Sequence, residues 1–125
     1  MKSRSSDFAT VHETLKSILR KYEKGRLKGT DTPGKYTLVG PPTEQTRGRS
    51  MWFGAVMTQK NYVSYHLMPV YGCGELVEGL SPALKKRMQG KACFNFTTVD
   101  APLFKELAAL TGRGYKRFKE LKYIA

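Results

Sequence analysis

Acidic residues, cysteines and long apolar runs are scarce in this chain, and each scarcity removes a class of protein. Ten Asp and Glu stand against 22 Lys and Arg, for a formal net charge of +12. The acids are scattered. Glu75 and Glu78 can share a helical face, and nothing else marks them as an acid–base pair. There are two cysteines, Cys73 and Cys93, and neither sits in a C-x-x-C pair. A disulfide scaffold and an all-cysteine zinc site are therefore without support. No apolar run reaches the ~18 residues of a membrane span, so a transmembrane helix is excluded. The opening residues, MKSRSSDFAT, lack the apolar segment of a secretory signal, and a cytoplasmic protein is expected. Neither a G-x-x-x-x-G-K-[ST] loop nor a dinucleotide fingerprint occurs.

What is present suffices for one domain over residues 1–125, with residues 1–6 as a flexible polar tail. A chain of this length buries roughly two-thirds of its unfolded surface, enough for a core without disulfides. Its positive charge is uneven. Residues 1–50 carry +6, residues 51–80 carry −1 and residues 81–125 carry +7. The excess suits an anionic phosphate, a nucleic acid or an acidic protein, and equally suits a well-solvated surface.

Periodicity places the elements. Phe8, Val11, Leu15, Ile18, Leu19 and Tyr22 form one stripe of a helix over 8–24, capped by Ser6-Asp7 or by a Thr10-x-x-Glu13 box and ended at Gly25. His12 lies off that stripe and is expected in solvent. Residues 26–35 read as turn. Strands follow at 35–39, 51–58 and 62–70, the last two joined by a hairpin at 59–61. In the second of these, Met51, Phe53, Ala55 and Met57 share one face. In the third, Val63, Tyr65 and Leu67 oppose Tyr62, Ser64, His66 and Met68. Ser81 caps a two-turn helix that opens on Pro82 and ends at Gly90. Cys93 to Phe96 forms a further strand. Asp100 caps a last helix, which Gly112 and Gly114 should break or bend before Tyr115, Phe118 and Leu121 continue it.

Candidate chemistry is sparse. His66, Cys73 and Cys93 are of types that bind zinc or iron, but a structural site needs about four protein ligands. His66 with Cys93 or Cys73 has the makings of a thiol–imidazole pair, yet no nucleophile motif surrounds either cysteine. Buried thiols and a surface histidine are the plainer reading, with no cofactor expected. The start of the Ser81-Pro82 helix offers N–H groups to an anion. Lys85, Lys86, Arg87 and Lys91, together with Arg47 and Arg49 of the 43–50 loop, make the candidate anion-binding set. In RGYKRFKELKY (113–123) aromatics interleave with cations, as in a nucleic-acid surface, but their helical spacing points Tyr115 and Phe118 to the core. Tyr62, Tyr65 and Tyr71 mark either a dimer face or the core, leaving monomer and homodimer both open.

The runs MWFGAVMTQK (51–60), YVSYHLMPVY (62–71), LSPALKKRMQGKACFNF (80–96) and DAPLFKELAAL (100–110) resemble the YdhG-like family, over roughly residues 11–120. The most specific piece is S-P-x-L-K-K-x-x-x-G-K-x-C-F-N-F, from Ser81 to Phe96, a marker of fold rather than of an active site. The resemblance implies an α+β fold. An antiparallel sheet of about five strands would carry an N-terminal helix, a short central helix and C-terminal helices. Some members of that family are described as frataxin-like iron chaperones. Such a role calls for carboxylate ligands, which this basic sequence does not concentrate. The leading expectation is a non-enzymatic binding domain for an anionic ligand or acidic partner, with metal delivery and weak nucleic-acid binding as the alternatives.

Overall fold

A computed structural model describes residues 4–24, 27–40, 44, 47–48, 52–72, 75–90 and 93–121, with backbone alone for 4–7 and 71–72. Helix α1 (Arg4–Arg20) leads into a six-stranded antiparallel sheet: β1 (Lys28–Thr32), β2 (Lys35–Val39), β3 (Trp52–Thr58), β4 (Val63–Leu67), β5 (Met88–Gln89) and β6 (Cys93–Phe96). Three short helices separate β4 from β5: α2 (Met68–Gly72), α3 (Glu75–Glu78) and α4 (Pro82–Lys85). Helix α5 (Ala101–Glu120) closes the described chain. Sheet order is β1-β2-β3-β4-β6-β5, a four-strand meander followed by an outlying hairpin. Among the described residues no helix is long and apolar enough to cross a membrane.

Both long helices cover one face of the sheet. The expected α1 stripe of Phe8, Val11, Leu15, Ile18 and Leu19 is buried, as are Leu103, Phe104, Leu107, Leu110 and Phe118 of α5. They meet Tyr36, Leu38, Val56, Val63, Tyr65, Leu67, Phe94 and Phe96 in one contiguous core. Tyr65 sits deep in it, where its hydroxyl shares a 2.6 Å hydrogen bond with Thr111 Oγ1 on α5. An unpaired hydroxyl there would leave a costly desolvated dipole.

Several expectations are corrected. The sheet has six strands rather than about five. Lys28–Thr32, read as turn, is an edge strand without apolar residues, so it carries no hydrophobic alternation to detect. It becomes a strand by pairing with β2 across the Pro33-Gly34 turn, where Gly34 takes a φ of +74°. Helix α1 starts at Arg4 and ends at Arg20, so neither proposed cap opens it, and Gly25 lies outside the described residues. The third expected strand stops at Leu67, and Pro69 falls in the first turn of α2. Helix α4 has one turn, and Gly90, at φ +80°, turns the chain between β5 and β6.

Helix α5 passes unbroken through Gly112 and Gly114. These glycines serve close approach. A Cβ at Gly112 would lie 3.0 Å from the Tyr22 hydroxyl, and one at Gly114 would lie 2.8 Å from Pro69 Cβ. The remaining correction concerns β3. Leu38 pairs with Gly54 and Val39 with Trp52, so Phe53 is an extra residue in a β-bulge. It turns inward on Tyr22, Tyr115 and Phe118, while Trp52 turns outward with Ala55 and Met57.

Candidate functional site

With both long helices on one side, the other face of the sheet is the place where side chains of many strands meet. Register fixes who stands beside whom. One row across the strands runs Thr30, Thr37, Ala55, His66, Cys93, Gln89. The next runs Thr32, Lys35, Met57, Ser64, Asn95, and Arg87 extends it through a 2.8 Å bond from Asn95 N–H to its carbonyl. Lys28, Val39 and Trp52 lie at the far end. The outward strand positions hold no Asp or Glu. They hold Lys28 and Lys35, with Arg87 beside them at the start of β5. Trp52 is 37% exposed, and the Lys35 ammonium stands 5.8 Å from its ring centroid.

Glu13, Glu23, Asp31 and Glu75 are paired on the helix side. Lys16 Nζ, held in the interface, reaches Glu13 at 2.9 Å and Asp31 at 3.1 Å, and Arg20 also binds Asp31 at 2.9 Å. Glu23 accepts from the Tyr36 hydroxyl. Arg117 joins α5 to Glu75 of α3 at 3.4 Å. His12 belongs to this side and corrects the solvent expectation. It is 6% exposed, its Nδ1 lies 3.0 Å from Thr58 Oγ1, and it borders a cavity of about 290 Å³ with Glu13 and Gly34. Burial, helped by the nearby Lys16 cation, lowers its pKa below the ordinary 6.5.

A polar cleft of about 110 Å³ opens on the outer face over β4, β5 and β6, lined by Gln59, Tyr62, Ser64, His66, Gln89, Cys93 and Asn95. Its floor is a hydrogen-bonded chain. Ser64 donates to the Met57 carbonyl at 3.3 Å, Ser64 Oγ lies 3.0 Å from His66 Nε2, and His66 Nδ1 lies 2.9 Å from Cys93 Sγ. When the Ser64 hydroxyl proton lies on Met57, Nε2 is the donor to Ser64. The lone pair of Nδ1 then faces the thiol, which donates to it. Burial lowers the His66 pKa and raises that of Cys93, so the pair rests as neutral imidazole and neutral thiol.

The residues singled out from sequence fall in different places. His66 and Cys93, twenty-seven positions apart, are brought into contact because β6 inserts beside β4. Cys73, Arg49 and Lys91 lie outside the described residues, as does the Tyr71 side chain. Among the described residues no three of His, Cys, Asp and Glu gather into a metal-binding group. Arg47 is exposed at φ 57° in the β2–β3 connection, which leaves β2 at its Val39 end. Arg87 stands at the opposite end of the sheet and three strands from β3, and Lys85 and Lys86 sit exposed at the end of α4. Tyr115 and Phe118 pack inward, as their spacing implies. Ser64, Trp52, Lys28 and Lys35 are site residues that sequence reasoning does not single out. Ser64 shared a predicted face with His66, which was the available signal.

Ser81 caps α4 as expected, accepting from Leu84 N–H at 3.2 Å. Its anion position is already filled from within. Ser81 N–H and Oγ–H both donate to the Glu106 carboxylate, each at 2.7 Å. These bonds hold the Glu106 carboxyl below its ordinary 4.5. A carboxylate with a depressed folded pKa contributes stability above its unfolded pKa and loses it as pH falls through the folded value. Ser81→Ala removes the cap and one charged hydrogen bond, and should cost about 2 kcal/mol at pH 7. Urea midpoints should show the gap between wild type and variant narrowing below pH 4.5.

Comparison with protein-family models, curated proteins and solved structures finds no match to this chain.

Proposed function

We propose that this chain is a small cytoplasmic, non-catalytic binding domain of the YdhG-like kind that holds an anionic ligand against the outer face of its sheet. One observation carries the reading: the segregation of charge. A chain of net charge +12 turns its one strand carboxylate, Asp31, to the helix side and puts no Asp or Glu at the outward strand positions, while Glu44 is exposed in the β2–β3 connection. A ligand on that face meets Lys28, Lys35 and Arg87 with no repelling carboxylate among the strands. Trp52 and Tyr62 add flat apolar surface, suited to a ligand with an aromatic or apolar part. Of the basic set expected from sequence this reading keeps Arg87 and adds Lys28 and Lys35, while Ser81 donates to Glu106.

Trp52 is the only tryptophan, so its emission reports on this face directly. The protein is titrated at about 50 mM salt, where electrostatic binding is strong, with inorganic polyphosphate, a single-stranded oligonucleotide and polyglutamate in turn. At least one probe should change the emission saturably, with an affinity that falls steeply as salt rises. Response to both phosphate polymers but not polyglutamate marks a phosphate ligand, and response to polyglutamate an acidic protein partner. A flat emission with all three, and no complex by native mass spectrometry, sinks the proposal.

A further inference from the structure

The geometry points to a second capability on the same face, independent of anion binding: Cys93 is a nucleophilic thiol with His66 as its general base, and its substrate class is a small uncharged peroxide. The argument rests on direction as much as proximity. A Cys–His contact supports nucleophilic attack only when the imidazole offers a lone pair to the thiol and a third group holds the ring in place. In the proposed tautomer the Ser64 proton lies on Met57 and the Nε2 proton on Ser64, which leaves Nδ1 as acceptor 2.9 Å from Sγ. Ser64 is 3% exposed and its own donor is fixed by backbone, so the ring is oriented by a rigid strand. Ser64 is accordingly a positioning residue. A neutral thiol is a weak nucleophile, and this one needs a base at hand. Cys93 and His66 are only partly covered and open into the cleft.

The cleft limits what can reach the sulfur from within it. Its volume of about 110 Å³ holds a few water-sized groups, and amides of Gln59, Gln89 and Asn95 line it. That suits a small polar molecule. In the step proposed, sulfur attacks one peroxide oxygen, an S–O bond forms and the O–O bond breaks. The thiol proton passes to Nδ1 and on to the departing oxygen, which leaves as water from hydrogen peroxide or as an alcohol from an alkyl peroxide. Sulfur is oxidised by two electrons to a sulfenic acid and the peroxide is reduced by two.

Among the described residues the outward charged or titratable groups around the pair are few. Tyr62 lines the cleft, Arg87 stands beside Asn95, and Lys35 lies beyond β3. The β3 neighbours Ala55 and Met57 do not titrate. The base should therefore stay unprotonated to a pH below the ordinary imidazole range.

Intact protein is treated with hydrogen peroxide, the sulfenic acid is trapped with a cyclic dione, and peptide mapping separates Cys93 from Cys73. At pH 7, wild type should react at least about tenfold faster than His66→Gln. Its rate should hold level through neutral pH and fall only below 6.5, whereas His66→Gln should rise steadily with pH as the thiol ionises. Ser64→Ala should react at an intermediate rate. Equal rates and matching profiles for wild type and His66→Gln, with both folded by circular dichroism, overturn the assignment. So does a Cys93 that reacts only after the chain is unfolded.

Discussion

Phe53→Ala should lower the unfolding free energy by about 4 kcal/mol, the cost of emptying a buried aromatic site. The Phe53 ring is fully enclosed, with centroids of Tyr22, Tyr115 and Phe118 at 6.0, 5.9 and 6.1 Å. Those three partners come from the turn that follows α1 and from α5, so truncation loosens the packing of both helices at once. The cavity cannot close easily, because Gly112 and Gly114 already bring α5 near contact with Tyr22 and Pro69. The neighbouring Trp52→Ala should cost less than about 1 kcal/mol, as an outward side chain on a half-solvated face. Urea denaturation followed by circular dichroism measures both. The order of the two tests the bulge, since without the extra residue Phe53 would share the outward face of Ala55. A Phe53→Ala cost near that of Trp52→Ala would refute the inward placement.

Reversing charge at Lys28, Lys35 and Arg87 together should weaken binding of the responding anionic probe by at least about a hundredfold, and reduce its logarithmic salt slope by about 3, near one for each lost contact. All three are exposed, so the fold should change little in stability. Each Lys or Arg to Glu exchange shifts charge by two, taking the chain from +12 to +6. A matched variant reverses Lys105, Lys116 and Lys119, exposed on α5, and reaches the same net charge. It should keep most of the affinity, because charges more than a Debye length of about 8 Å from the ligand are screened at physiological salt. Equal losses in both variants would mean that bulk charge rather than this face draws the ligand.

Much of the fold was legible because burial writes a period into the chain. The stripes of α1 and α5, the alternation from Val63 to Leu67 and the Ser81-Pro82 and Asp100 starts all appear where their spacing or capping chemistry requires. Elements without a buried face left no such mark. Lys28–Thr32 is polar throughout, and Met88–Gln89 is too short to show a period. The glycines of α5 misled for a different reason. Their intrinsic helix penalty is about 1 kcal/mol each, and packing too close to admit a Cβ overrides it.

The site divides the same way. The residue types were visible: a strongly basic chain, two cysteines, and a histidine on the outward side of one strand. Local sequence could also place Ser64 beside His66, since alternation along a strand is a property of covalent geometry. Contact between His66 and Cys93 depends on β6 inserting next to β4, a pairing across twenty-seven positions that no local spacing encodes. The acid-free face likewise exists only once the sheet order, the β3 bulge and the one-sided packing of α1 and α5 are set. Those are decided by which surfaces can be buried together, a balance struck over the whole chain at once.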